Sequence, residues 1–409
     1  MISGKADCGL QYAVRRSGSA VGYCALSIRC GTRDEDGYHS GIAHFVEHTI
    51  FKGTEKKSAS VINGYLDRLG GELNAFTTKE EIVFHATVLK EDLGKAASLL
   101  FELVTQATFP EHEINTEKGV VIDEIHSYKD SPSEDIYDRF EEMLFKGHPL
   151  SGPILGTVAS VKKISREELL KFVKEKFVPG KMAFSIVADI DEKKMEKEVL
   201  KLAGRFFDGI TDEYGMAIPM KDPEPEQFDK TLNKRNHQAN CIIGGLAPSL
   251  YQERERLATV LLCNILGGPA SNSILNSILR EKNGWVYGTE CSYTQFADTG
   301  MVAISLGCDK DNLDKCLIAI DKEIAKLQND LLTDRKLKAA KKQLLGQLAI
   351  SSDNGETQCL SMGKGLLAYG KITGGKETRE LVEGISAEDV QDMARKIFAK
   401  ENLSRLIYI

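Results

Sequence analysis

No stretch of the 409-residue chain approaches the ~18 consecutive apolar residues of a membrane-spanning helix, so a membrane partner is not expected. A basic stripe is also missing. With 60 acidic against 53 basic residues and a net charge of −7, the chain lacks the electrostatic footprint of a nucleic-acid-binding protein. The opening Met1–Asp7 has no charged-then-apolar order of a secretory signal, and a cytoplasmic location is the expectation. The nine cysteines, at 8, 24, 30, 241, 263, 291, 308, 316 and 359, are odd in number and include no C-x-x-C pair. That pattern excludes a disulfide framework and predicts buried, reduced thiols. A composition of 42% hydrophobic and 28% charged residues with only 10 prolines excludes collagen-like and largely disordered chains.

What is present is a globular chain long enough for two or three domains. Pro219, Pro223 and Pro225, set among acidic and polar residues, mark a linker at 211–229 between a domain at 1–210 and one at 230–409. The two halves read as one design used twice. A helical run follows Leu93 in the first and Leu313 in the second, 220 residues apart. Ser165 with Glu168, and Ser386 with Asp389, 221 residues later, each open a helix as a cap and its third residue. Apolar strands at Met182–Ala188 and Leu403–Ile409 follow these two helices. Alternating runs at Glu81–Val88 and Thr299–Leu306 read as further strands, and the long amphipathic helices between them lack short βαβ spacing. The fold class is therefore α+β, with two homologous tandem domains, each a largely antiparallel sheet packed with helices.

The chemistry concentrates in Ser40–Gly53, a predicted helix bounded by a capping residue and a glycine. At 3.6 residues per turn His44 and His48 share a face, so both imidazoles reach one Zn²⁺. Glu47 lies beside them, placed to take a proton from water at the metal rather than to ligate. The order H-x-x-E-H is the inverted zincin motif. Two imidazoles make a weak site without a third ligand. Glu117 and Glu124, seven residues apart on one helical face, supply the natural candidates, with Glu124 completing His₂Glu and Glu117 in a supporting position.

His44, Glu47 and His48, followed by Glu124 76 residues beyond His48 and by Glu117 seven before that, resemble the inverted-zincin peptidases of the pitrilysin, insulinase and mitochondrial-processing-peptidase family. The resemblance covers nearly the whole chain and is to the short members with two domains per chain. It implies one Zn²⁺ held by His44, His48 and Glu124, Glu47 as general base and Glu117 as a supporting acid.

Gly70–Glu80 reads as a turn running into a strand. It is similar to the family's Asn-Ala-x-Thr strand, whose edge accepts an extended peptide by strand addition. This implies substrate binding by the backbone around Asn74, Ala75 and Phe76, with Glu80 meeting a substrate amine or supporting the site. Leu279–Tyr287 resembles the family's Arg and Tyr pair, with Arg280 on the substrate backbone and Tyr287 donating to the tetrahedral oxyanion. Shifting the metal residues by 220 lands on Asn264, Gly267, Gly268 and Leu344, so the second half is expected to be metal-free. The expected activity is a zinc metalloendopeptidase acting on unfolded peptides or precursor segments in an enclosed chamber. Because both residue sets lie on one chain, a homodimer is expected, with a heterodimer as the alternative. The rival reading is a non-catalytic scaffold or partner subunit of a peptidase-like complex.

Overall fold

The computed structural model describes residues 1–210 and 222–409. The first half opens with β1 (Ile2–Lys5), β2 (Gln11–Arg16), β3 (Val21–Ile28), α1 (Ile42–Ile50) and α2 (Ala59–Asp67). Strands β4 (Glu72–Thr77) and β5 (Ile82–Leu89) follow, then α3 (Leu93–Gln106), α4 (Glu111–Asp130) and α5 (Pro132–Leu144). It closes with α6 (Val158–Val161), α7 (Arg166–Lys176), β6 (Met182–Ala188) and α8 (Glu192–Phe206). The second half runs β7 (Asp229–Leu232), β8 (Ala239–Ala247), α9 (Glu253–Gly267), β9 (Val286–Gln295) and β10 (Gly300–Cys308). Helices α10 (Leu313–Asn329), α11 (Asp334–Ser351), α12 (Gly355–Tyr369), α13 (Gly375–Glu383) and α14 (Ala387–Ile397) lead to β11 (Ser404–Tyr408).

The expected caps form. The Ser165 hydroxyl accepts from the Glu168 amide at the start of α7, and Ser386 with Asp389 makes a reciprocal capping box at α14. The sheets share one plan. The first is ordered β1-β2-β6-β3-β5-β4 and the second β7-β11-β8-β10-β9. In each, one pair is parallel, β2 with β6 and β7 with β11, and the remaining pairs are antiparallel. The class is α+β with two largely antiparallel sheets, as the alternating patterns predict.

Two compact units share the chain, and they are not consecutive blocks of it. The first comprises Met1–His126, the described residues of Gly152–Ala217, and Ile350–Thr373; the second holds Ser127–Ser151, the described residues of Ile218–Ala349, and Gly374–Ile409. The expected division between 1–210 and 230–409 is thus crossed twice. The reason is the two-sided apolarity of each sheet. In the first unit, α1, α3, α7 and α8 cover one face, while the other face presents Ala13, Ala25, Val83, Ala183 and Val187 to Cys359, Met362, Leu366 and Leu367 of α12. In the second, Ile242, Met301, Ala303, Leu406 and Tyr408 pack on Ile136, Phe140 and Leu144 of α5. Each sheet completes its core with a helix from the other half of the sequence. Small residues permit the close approach: a Cβ at Gly363 of α12 would stand 2.6 Å from Ser27 Oγ.

Of the expected linker, 211–221 lie outside the described residues, 222–228 carry no helix or strand, and Asp229 begins β7. All nine cysteines are buried and free. No helix among the described residues is long and apolar enough to cross a membrane.

Candidate metal centre

Helix α1 is amphipathic by composition, with Ile42, Ala43, Phe45, Val46 and Ile50 in the first core. Its ends differ from the sequence expectation. The N-cap is Gly41 rather than Ser40, and the helix stops at Ile50, three residues before Gly53. Gly41 sits at φ 89°, where a Cβ would fall 2.7 Å from the Leu155 carbonyl oxygen, so only glycine fits. The orphan amides of the first turn are met from a distance. The buried Glu35 carboxylate accepts from Gly41 N–H at 2.8 Å and from Ala43 N–H at 3.0 Å. Burial pushes the Glu35 carboxyl up to about 8, against the pull of those two amides and of Lys79.

On the other face of α1, His44 and His48 stand with ring centroids 4.6 Å apart. Helix α4 brings the third group. Its inward positions are Ile114, Glu117, Val121 and Ile125, so Glu117 occupies a core-facing position in a helical stripe otherwise apolar there. Glu124 Oε2 lies 3.4 Å from His48 Nε2 and 3.7 Å from His44 Nε2. That oxygen is buried with no hydrogen-bond partner among the described residues. Ligand atoms of His44, His48 and Glu124 all fall within 4.8 Å of one another. Burial, and secondarily His48, hold the His44 imidazole down to about 3, so it is neutral with a lone pair to give. Two imidazole nitrogens and one unsatisfied carboxylate oxygen facing a common point fit a zinc ion. A hydrogen-bonded trio would have left no such orphan.

The surrounding residues orient this set. Glu117 Oε2 is 3.2 Å from His48 Nδ1, and its Oε1 takes an ion pair from Lys52 Nζ at 2.6 Å. The carboxylate fixes the imidazole's orientation, and the ammonium balances its buried charge. Glu47 is half-buried beside the cluster. Its Oε2 accepts a hydrogen bond from Thr77 Oγ1 at 2.5 Å, and burial raises its carboxyl above the usual range against the pull of Thr77 and His48. Sequence reasoning gave Lys52 and Thr77 no role: Lys52 falls four residues after His48 and Thr77 two after Ala75, spacings that suggest which face each shares but not which partner it meets.

The remaining expected residues divide between the units. In the first, β4 is the edge of its sheet and, among the described residues, pairs with β5 alone, with Asn74 opposite His85, Ala75 opposite Phe84 and Phe76 opposite Val83. Ala75 packs toward the first core, whereas Phe76 packs toward α12, its ring 6.1 Å from that of His85. His85 Nδ1 in turn lies 3.1 Å from Glu356 Oε1. Glu80 is in the turn after β4, in an ion pair with the buried Arg33. In the second unit, Arg280 is exposed in a π-helical turn, Asn276–Lys282. Tyr287 on β9 is 59% exposed, and its hydroxyl donates to Asp309 Oδ1 at 2.9 Å. That bond is the first cause of a pKa raised above the ordinary tyrosine value.

Two histidines and a carboxylate from separate helices, next to a buried glutamate, define a centre of the zinc-hydrolase class. Comparison with known proteins agrees. Residues 12–158 match the insulinase family, peptidase family M16, and residues 163–344 match the peptidase M16 inactive domain. An uncharacterized zinc protease of Bacillus subtilis, YmxG, is 30% identical over 93% of this chain and 91% of its own length. An uncharacterized zinc protease of Rickettsia felis is likewise 30% identical, with the same coverage. Among solved structures, a protease from Helicobacter pylori superposes with a TM-score of 0.88 at 20% identity, covering 100% of this chain and 98% of that one. The chain belongs to peptidase family M16.

Proposed function

We propose that the chain is a zinc-dependent endopeptidase that takes unfolded peptide segments as an added strand on the free edge of β4 and cleaves a backbone amide beside His44, His48 and Glu124. The observation that carries this reading is the convergence of those three side chains on one point, with the unsatisfied Glu124 oxygen among them. Zinc bound there supplies Lewis acidity, which acidifies water and polarises the amide carbonyl. Glu47 takes the proton from the attacking water and returns it to the leaving amine nitrogen, so no covalent intermediate is needed. Glu117, braced by Lys52, keeps His48 oriented. Edge addition binds main chain and requires a segment not already paired, so unfolded peptides are substrates and folded proteins are not.

On the family resemblance, Arg280 holds the substrate backbone and Tyr287 donates to the oxyanion. The Tyr287 hydroxyl is bonded to Asp309 and has to release that partner to do so. The same resemblance supports a homodimer, which light scattering of the purified chain tests.

The decisive experiment incubates the chain with a mixed peptide library and maps cut sites by mass spectrometry, for the parent and for Glu47→Gln. The parent cleaves and binds one zinc per chain. The variant keeps the zinc and loses cleavage by about 10²–10⁴-fold. A variant that cleaves as fast as the parent removes Glu47 from the mechanism.

A further inference from the structure

Strand alternation decides which β4 side chains face the metal helix. Leu73 and Ala75 pack into the first core together with α1, and Phe76 packs toward α12. Thr77, two residues after Ala75, must face the α1 side, and its hydroxyl meets Glu47 Oε2 there. Among the described residues this is the one side-chain hydrogen bond that Glu47 makes. Thr77 is itself held by antiparallel pairing with Ile82 on β5, so the donor sits on a fixed backbone while the acceptor is a glutamate with three rotatable bonds.

We infer that Thr77 is a positioning residue for the general base, and that it ties the peptide-accepting edge of β4 to Glu47. With Oε2 engaged, the carboxylate plane is set and Oε1 is left to take the proton. Without the hydroxyl, the side chain regains rotamers that point the carboxylate elsewhere, a loss of productive geometry rather than of binding. The inference rests on the reading of Glu47 as base.

The test compares the parent, Thr77→Val, Thr77→Ser and Glu47→Gln, using a quenched fluorogenic peptide chosen from the library members that the parent cleaves. Valine matches threonine in shape and removes the hydroxyl, whereas serine keeps it. The expected result for Thr77→Val is a kcat lower by ~10–100-fold, the range of one hydrogen bond to a charged group, with KM and zinc content unchanged. Thr77→Ser restores kcat to within a few-fold of the parent. An unaltered kcat in Thr77→Val overturns the inference, as does loss of zinc alongside activity, which would make the residue structural. A Thr77→Ser variant as slow as Thr77→Val overturns it too. Full activity in Glu47→Gln instead removes the base itself, so failure of the underlying reading is seen separately.

Discussion

The two units carry the same pair of helices and have made different things of it. In the first, α1 and α4 bring together His44, His48 and Glu124. In the second, the residues 220 positions on are Asn264 near the end of α9, Gly268 just past it, and Leu344 on α11. Asn264 Nδ2 donates to Gln347 Oε1 at 2.6 Å, so a neutral amide pair links the helices, and Leu344 is buried in the second core. The position matching Glu47 is Gly267, where a Cβ would stand 2.6 Å from the backbone nitrogen of Cys291. The first helix pair seats side chains around a common point. In the second, an amide pair joins α9 to α11, and the end of α9 lies against the backbone of β9. Converting one into the other therefore takes more than exchanging ligands.

The largest effect is expected from giving the first unit the second unit's residue. Glu124→Leu removes the one anionic donor of the set, and zinc per chain, measured by elemental analysis after dialysis, falls from near one to near zero with loss of cleavage. Zinc retained at full occupancy would show that Glu124 is not a ligand. A smaller effect tests closure in the second unit. Gly267→Ala drives a methyl against the Cys291 backbone, which lowers unfolding free energy by about 1–3 kcal/mol while zinc content stays unchanged. A variant as stable as the parent in a denaturant titration would mean that β9 yields freely.

The smallest effect concerns the distant cap of α1. Folding raises the Glu35 carboxyl from 4.5 to about 8, so the native chain holds this proton more tightly than the unfolded chain does. The stability that it contributes is full below about pH 4.5 and is lost as pH rises through about 8. Glu35→Gln cannot titrate, and its thermal midpoint changes less across that interval than the parent's. Equal slopes in the two proteins would remove Glu35 as the source.

Local sequence signals account for much of this protein. Period and capping rules placed the starts of α3, α7, α10 and α14, and the bounds of β5, β6, β10 and β11, within a residue or two of those observed, because these elements bury one continuous face and are bounded by their own neighbours. The spacing of His44 and His48 fixed their shared face on α1 for the same reason. Sequence failed where the partner lies far along the chain. The start of α1 is satisfied by Glu35 and a left-handed Gly41 rather than by Ser40, and Glu80 meets Arg33, pairings that no local pattern announces. The exchange of α5 and α12 between sheets is of that kind too. A sequence specifies which faces are apolar, but several helices of equal length and polarity could cover a given sheet, and which one does is settled by connection and packing density. So the residue types and the helical repeat determined that a two-histidine face exists. Helical spacing and the family resemblance offered Glu117 and Glu124 as partners for it, but only the tertiary structure decided that Glu124 comes within 3.4 Å of His48 Nε2, that Lys52 pairs with Glu117 and that Thr77 reaches Glu47, because those contacts span stretches of chain across which periodicity carries no information.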